Sequence, residues 1–189
     1  MFRGVIMLFV RSLAGAFTAI ALIVTAPASA ARLVLDAPGD ACFSAQVPPG
    51  WLVAAAFEPG PEDDPELPRV VSLFPDPEDQ VWLGLWHARL VGSLDEAKAR
   101  FDDLDGALFD DPVVETATDR TLAGFPAFQL RGTATSDGEP VTFGVVGFAY
   151  APGAIGVAVF VGEDGAWTAH AETVAATLDS IRTEQAACP

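Results

Sequence analysis

FPAFQLRGTATSDGEPVTFGVVGFAYAPGAIGVAVFV, residues 125–161, decides the fold of this chain. Read in steps of two, it is three strands and two turns. Phe125 to Thr133 alternates, with Phe128 and Leu130 opposite Gln129 and Arg131. Asp137-Gly138 is a hairpin signal, because both residues tolerate the left-handed backbone of a two-residue turn. Val141 to Tyr150 then sets Phe143 and Val145 on one face and Val146, Phe148 and Tyr150 on the other. Pro152-Gly153 turns the chain again, and Ile155 to Val161 is β-branched and of buried character. Connections this short join antiparallel neighbours, so the stretch is a meander.

Working outward toward the N-terminus, Val113 to Thr121 is a mixed strand that meets the meander at Gly124, just before Pro126 at a strand entry. Ser93-Leu94-Asp95-Glu96 fits a capping box: Ser93 accepts from the third backbone N–H and Glu96 reaches back. The helix it opens aligns Leu94, Ala97, Phe101, Leu104 and Leu108 at steps of three and four, and Asp110-Asp111-Pro112 is its expected end. Val81 to Leu90 is a strand apolar on both sides, with Val81, Leu83 and Leu85 on one face and Trp82, Trp86 and Leu90 on the other. Two-sided apolar strands are central strands covered above and below.

Further upstream, Val70 to Phe74 is a short strand followed by a turn at Pro75 to Asp79. Cys42 to Val47 places Phe43, Ala45 and Val47 on one face. Pro48-Pro49-Gly50 turns it into a second run from Trp51 to Phe57, and Arg32 to Asp36 is either a short strand or a loose lead-in. Toward the C-terminus, Asp164 to Arg182 reads as a helix with Trp167, Ala171, Val174, Leu178 and Ile181 on its apolar stripe. Glu163 and Asp164 lie at the positive end of its dipole and Arg182 at the negative end. The class is α+β: a central antiparallel sheet of about six or seven strands flanked by helices.

Residues 1–30 have the make-up of a secretory signal peptide. Arg3 and Arg11 are basic, Leu13 to Val24 is apolar or small apart from Thr18, and Ala28-Ser29-Ala30 is a cleavage signal. The expected product is a single domain, residues 31–189, with no membrane anchor after cleavage, in the periplasm or, alternatively, outside the cell. Cleavage leaves 8 basic against 26 acidic residues, a formal charge of −18. A surface this negative repels phosphate backbones and anionic lipid surfaces, which argues against nucleic acid and membranes as partners. It favours solubility and attraction to a basic partner. Cys42 and Cys188 sit near opposite ends of the exported chain, and in an oxidising compartment they read as one disulfide. Closing so long a loop stabilises by about 4–5 kcal/mol in the chain-entropy account.

Three segments carry a resemblance to a known group: Phe43-Ser44-Ala45-Gln46-Val47-Pro48-Pro49-Gly50-Trp51, then Thr121-Leu122-Ala123-Gly124-Phe125-Pro126-Ala127-Phe128-Gln129-Leu130, and last Thr177-Leu178-Asp179-Ser180-Ile181-Arg182. Together with the order of elements, they resemble the PsbP-like superfamily. That group includes extrinsic photosystem II subunits, a Ran-binding nuclear import factor and many exported bacterial proteins. The resemblance implies an α/β/α sandwich around an antiparallel sheet, and an adaptor or accessory role rather than an enzymatic one. It supplies no shared catalytic set.

The residues themselves offer little chemistry. His87 and His170 are the two histidines, His87 near the end of a strand and His170 at the edge of the apolar stripe of the last helix, and each reads as structural. No serine lies in a G-x-S-x-G or S-x-x-K motif. Asp102-Asp103-x-Asp105-Gly106 fails the spacing of a calcium loop, so no metal or cofactor is expected. Gly144, Gly147 and Gly156 lack a phosphate-loop context and mark bulges or close packing. The expected function is an exported, non-enzymatic accessory or binding protein acting through protein–protein contacts. The candidate contacts are Glu62, Asp63, Asp64 and Glu66 in the acidic, proline-rich run Glu58 to Pro68, and Trp82 and Trp86, which flank Gly84. The alternative is a small-molecule or lipid site between helix and sheet near Phe143, Phe148 and Trp86.

Overall fold

The computed structural model describes residues 31–36, 41–54, 70–75, 81–101, 108–163 and 165–183. The signal segment, the Glu58–Pro68 run, Leu104, the Asp102–Gly106 acids, Asp164 and Cys188 lie outside the described residues.

The meander forms as the alternation dictates. Strands β6 (Asp110–Leu122), β7 (Phe125–Ser136), β8 (Glu139–Ala151) and β9 (Ala154–Glu163) pair antiparallel in sequence order. Ala123 and Gly124, then Asp137 and Gly138, all have positive φ, as primed hairpin turns require. Pro152 precedes Gly153 at φ 70°, the chemistry of a type II turn.

Strands β3 (Leu52–Ala54), β4 (Val71–Phe74) and β5 (Val81–His87) form a second meander. Helix α1 (Leu94–Phe101) lies between the two in sequence, and β5 pairs with β9, the last strand of the β6–β9 meander. The seven-stranded order is β3-β4-β5-β9-β8-β7-β6, with β3 and β6 at the edges. A separate three-stranded sheet, β1-β2-β10, joins β1 (Arg32–Asp36), β2 (Cys42–Gln46) and β10 (Arg182–Thr183). Helix α2 spans Ala166–Asp179.

One core lies on each face of the large sheet. On one face Leu83, Leu85, Val146, Phe148, Tyr150 and Phe160 pack with Phe43 and Ala45 of β2 and with Val174 and Leu178 of α2. On the other, Phe128, Leu130, Phe143, Val145, Val157 and Val159 pack with Ala97 of α1. The two-sided pattern of β5 and β8 therefore means what it implied: layers above and below a sheet. Burying one such Phe stabilises by about 1.5–3 kcal/mol, and Phe43 adds edge and tilted contacts to Phe148 at 5.1 Å and Tyr150 at 5.0 Å.

Several details depart from the expectations. Pro48-Pro49-Gly50 does not make a hairpin; it carries the chain from the small sheet into the large one, and β2 pairs with β1 and β10 instead of β3. Strand β5 stops at His87. Leu90 lies in a turn with φ 58° and is 62% exposed, with no described element over it. Asp110 opens β6 rather than closing a helix. Ser93 Oγ accepts from Glu96 N–H at 3.2 Å, but Glu96 reaches Gly92 N–H at 2.8 Å, one residue earlier than a capping box requires. Helix α2 starts after Gly165, with no side-chain cap, and ends at Ser180. The Ser180 hydroxyl accepts from Gln46 N–H at 2.8 Å, tying the helix end to the small sheet. Arg182 donates to the Asp179 carbonyl at 2.8 Å, as expected for a cation at a helix C-terminus.

Candidate functional site

Trp82 and Trp86 lie on the α1 side of the large sheet, half-buried against that core together with Ala88 and Leu94. The space that Gly84 leaves between them is filled by the Trp82 ring itself. A Cβ on Gly84 would stand 2.3 Å from the Trp82 six-membered ring. Each indole keeps part of its surface in solvent. Glu62, Asp63, Asp64 and Glu66 fall outside the described residues.

His87, at the end of β5, meets Tyr150 of β8, with the phenol oxygen 3.0 Å from Nδ1. Burial first, and the Arg89 charge second, push the imidazole pKa below 6.5. Burial pushes the Tyr150 phenol up to about 12. Both shifts favour the neutral groups, and the imidazole tautomer sets which of the two donates. The structural reading of His87 thus rests on a phenol partner, Tyr150, which lies on the same face two strands away. His170 packs edge-on against Trp51 at 5.7 Å, which fastens α2 to the start of β3. The two histidines serve separate contacts. Among the described residues no cluster of three His, Cys, Asp or Glu is placed to hold a metal ion.

Phe143 and Phe148 belong to opposite cores, so no single space between helix and sheet is lined by both. Phe143 instead stacks on Phe109 at 4.7 Å. The strand glycines do mark close packing: Gly144 lies under Trp167, Gly147 under Phe128 and Gly156 under Phe148.

Cys42 is buried, and no cysteine among the described residues is free. Strand β10 brings the C-terminal chain alongside it: Thr183 is paired with Phe43, next to Cys42, and Cys188 follows five residues later.

The open part of the molecule is β6. This 13-residue edge strand is exposed along almost its whole length, with Val113 at 59% and Val114 at 45%. Two bulges interrupt its pairing with β7, between Asp110 and Val113 and between Val114 and Thr116. On its α1 side Asp119 pairs with Lys98 at 3.6 Å. On the opposite side Arg120 donates to Gln129 at 2.8 Å, and Arg131 stacks over Trp167 at 4.2 Å.

With this geometry in place, the comparisons are informative for fold. Cyanobacterial PsbP (CyanoP) from Synechocystis sp. PCC 6803 superposes with a TM-score of 0.57 at 12% identity, covering 82% of this chain and 94% of that one. The fold is PsbP-like. LpqN of Mycobacterium tuberculosis, described as involved in cell envelope biogenesis, has the same PsbP-like arrangement. Its TM-score is 0.54 at 15% identity, over 81% of this chain and 90% of that one. No family model and no curated protein matches the sequence.

Proposed function

We propose that this is an exported, non-enzymatic accessory protein that works by binding another protein. The observation that carries the reading is β6, a long strand at the edge of the seven-stranded sheet with exposed Val113 and Val114. Such an edge is a template for an added strand from a partner. The formal charge of −18 after signal cleavage supports a partner with a basic surface, through long-range attraction. Glu62, Asp63, Asp64, Glu66, Trp82 and Trp86 are proposed further contacts. Export is supported by the signal-like residues 1–30. The described residues contain no helix long and apolar enough to cross a membrane. The cell-envelope role stated for LpqN fits the same location.

Native mass spectrometry of the protein recovered gently from its host's extracytoplasmic fraction tests this. A complex with a second polypeptide is expected. Replacing Val113 and Val114 by Lys is expected to remove that polypeptide and leave the fold intact. Recovery only as a bare monomer, or a complex indifferent to the edge substitutions, would count against the reading.

A further inference from the structure

The face of the large sheet that carries α2 changes character past β8. Under α2 and the small sheet it is apolar. At β7 and β6 it becomes polar, and the register shows how. Thr116 is opposite Arg131, Thr118 opposite Gln129 and Arg120 opposite Ala127, so all of these except the alanine present polar groups on one face. Arg120 leans along the sheet to reach Gln129, which is almost fully buried. Arg131 is held from the other side. Its guanidinium lies on the Trp167 ring, which rests on Gly144 and meets Phe160 edge-on at 5.2 Å.

Two guanidiniums are thus held on either side of a floor made by Thr118 and Gln129. They are close enough that, after burial, the Arg120 charge is the next cause lowering the Arg131 pKa. Among the described residues neither is in an ion pair with a carboxylate. Asp119, the nearest acid in sequence to Arg120, points to the other face and pairs with Lys98. In a chain with so few basic residues, two adjacent cations facing each other without a counter-charge repel, and an anion between them relieves that repulsion. Each guanidinium is also ordered in advance, one by an amide and one by an indole, which lowers the entropy lost on binding. The Gln129 oxygen is taken by Arg120, so the donor end of its amide is the end left for a ligand.

We propose that Arg120, Arg131, Gln129 and Thr118 form a binding site for the phosphate or carboxylate group of a small soluble molecule. Guanidinium forks match both groups with paired N–H donors. The rest of the surface selects the source: an acidic protein or an anionic bilayer would bring its own negative surface against a strongly negative one, whereas a small anion meets mainly the local pair within a Debye length of about 8–10 Å. This site is separate from the β6 edge contacts and can stand or fall without them.

The test is a titration of the exported chain with inorganic phosphate and, separately, citrate, followed by the Arg Nε–Hε and Trp indole NMR signals. Chloride at matched ionic strength is the control. Saturable shifts at Arg120, Arg131 and Trp167 are expected, and the anion that saturates at lower concentration identifies the group. R120Q, and R131K, which keeps the charge but loses the fork, are each expected to weaken binding by about tenfold. R131K retains a cation over Trp167, so it guards against a failure to fold. Shifts that never saturate, that chloride reproduces, or that persist unchanged in both variants would overturn the site.

Discussion

Strands β9 and β6 belong to one sheet and have similar lengths, yet they are built on opposite terms. All but two residues of β9 are buried, and its neighbours on both sides are strands. Strand β6 is exposed over almost all of its length and, among the described residues, pairs with β7 alone. Both are held by ladder hydrogen bonds, β9 on two sides and β6 on its β7 side, so both are regular strands. What differs is who supplies the stability. In β9 it comes from side chains packed on two faces; in β6 it comes from pairing, and most of its side chains face solvent. Both the proposed protein contact and the proposed anion site use the edge for that reason.

The contrast is broken most severely in the centre. Phe148→Ala removes a fully buried ring that touches Phe43 and lies over Gly156, and it is expected to cost about 3–5 kcal/mol in chemical denaturation. A loss below about 1 kcal/mol would mean that the centre packs loosely. Next comes the small sheet that covers this ring. If Cys42 and Cys188 are joined, Cys42→Ser is expected to cost about 2–5 kcal/mol. Thiol labelling of the denatured, unreduced exported chain is then expected to find neither cysteine reactive; two reactive thiols would dismiss the pairing.

A smaller effect is expected at His87 and Tyr150, between centre and surface. The imidazole pKa is depressed in the fold, so the unfolded chain binds more protons below about pH 6.5. Stability is therefore present above that pH and falls as pH drops toward the lower folded pKa. The phenol pKa is raised, so its contribution is present below about pH 10 and is lost as pH climbs toward about 12. Tyr150→Phe is expected to cost about 1 kcal/mol near neutrality and to flatten the alkaline limb of thermal denaturation against pH. An unchanged alkaline limb would argue against the buried phenol. The smallest effect belongs to the edge: Thr118→Val is expected to shift stability by no more than about 0.5 kcal/mol. A larger change would mean that β6 is packed after all.

The sequence alone was enough to specify the meander, its hairpin turns and the two faces of β5 and β8. A period of two and the left-handed tolerance of Asn-, Asp- and Gly-type turns are local properties, readable wherever neighbours in sequence are neighbours in space. It also specified the helix that Ser93 opens, because a cap involves residues three apart. Only the tertiary structure decided that Pro48-Pro49-Gly50 leads from one sheet to another, that Tyr150 finds His87, and that the Trp82 ring covers Gly84. It alone set Arg120 and Arg131 on one open face, with Trp167 arriving from the far end of the chain. Those arrangements depend on which strands become neighbours and on what each side chain then meets, and that information lies in the packing of distant segments rather than in any local pattern.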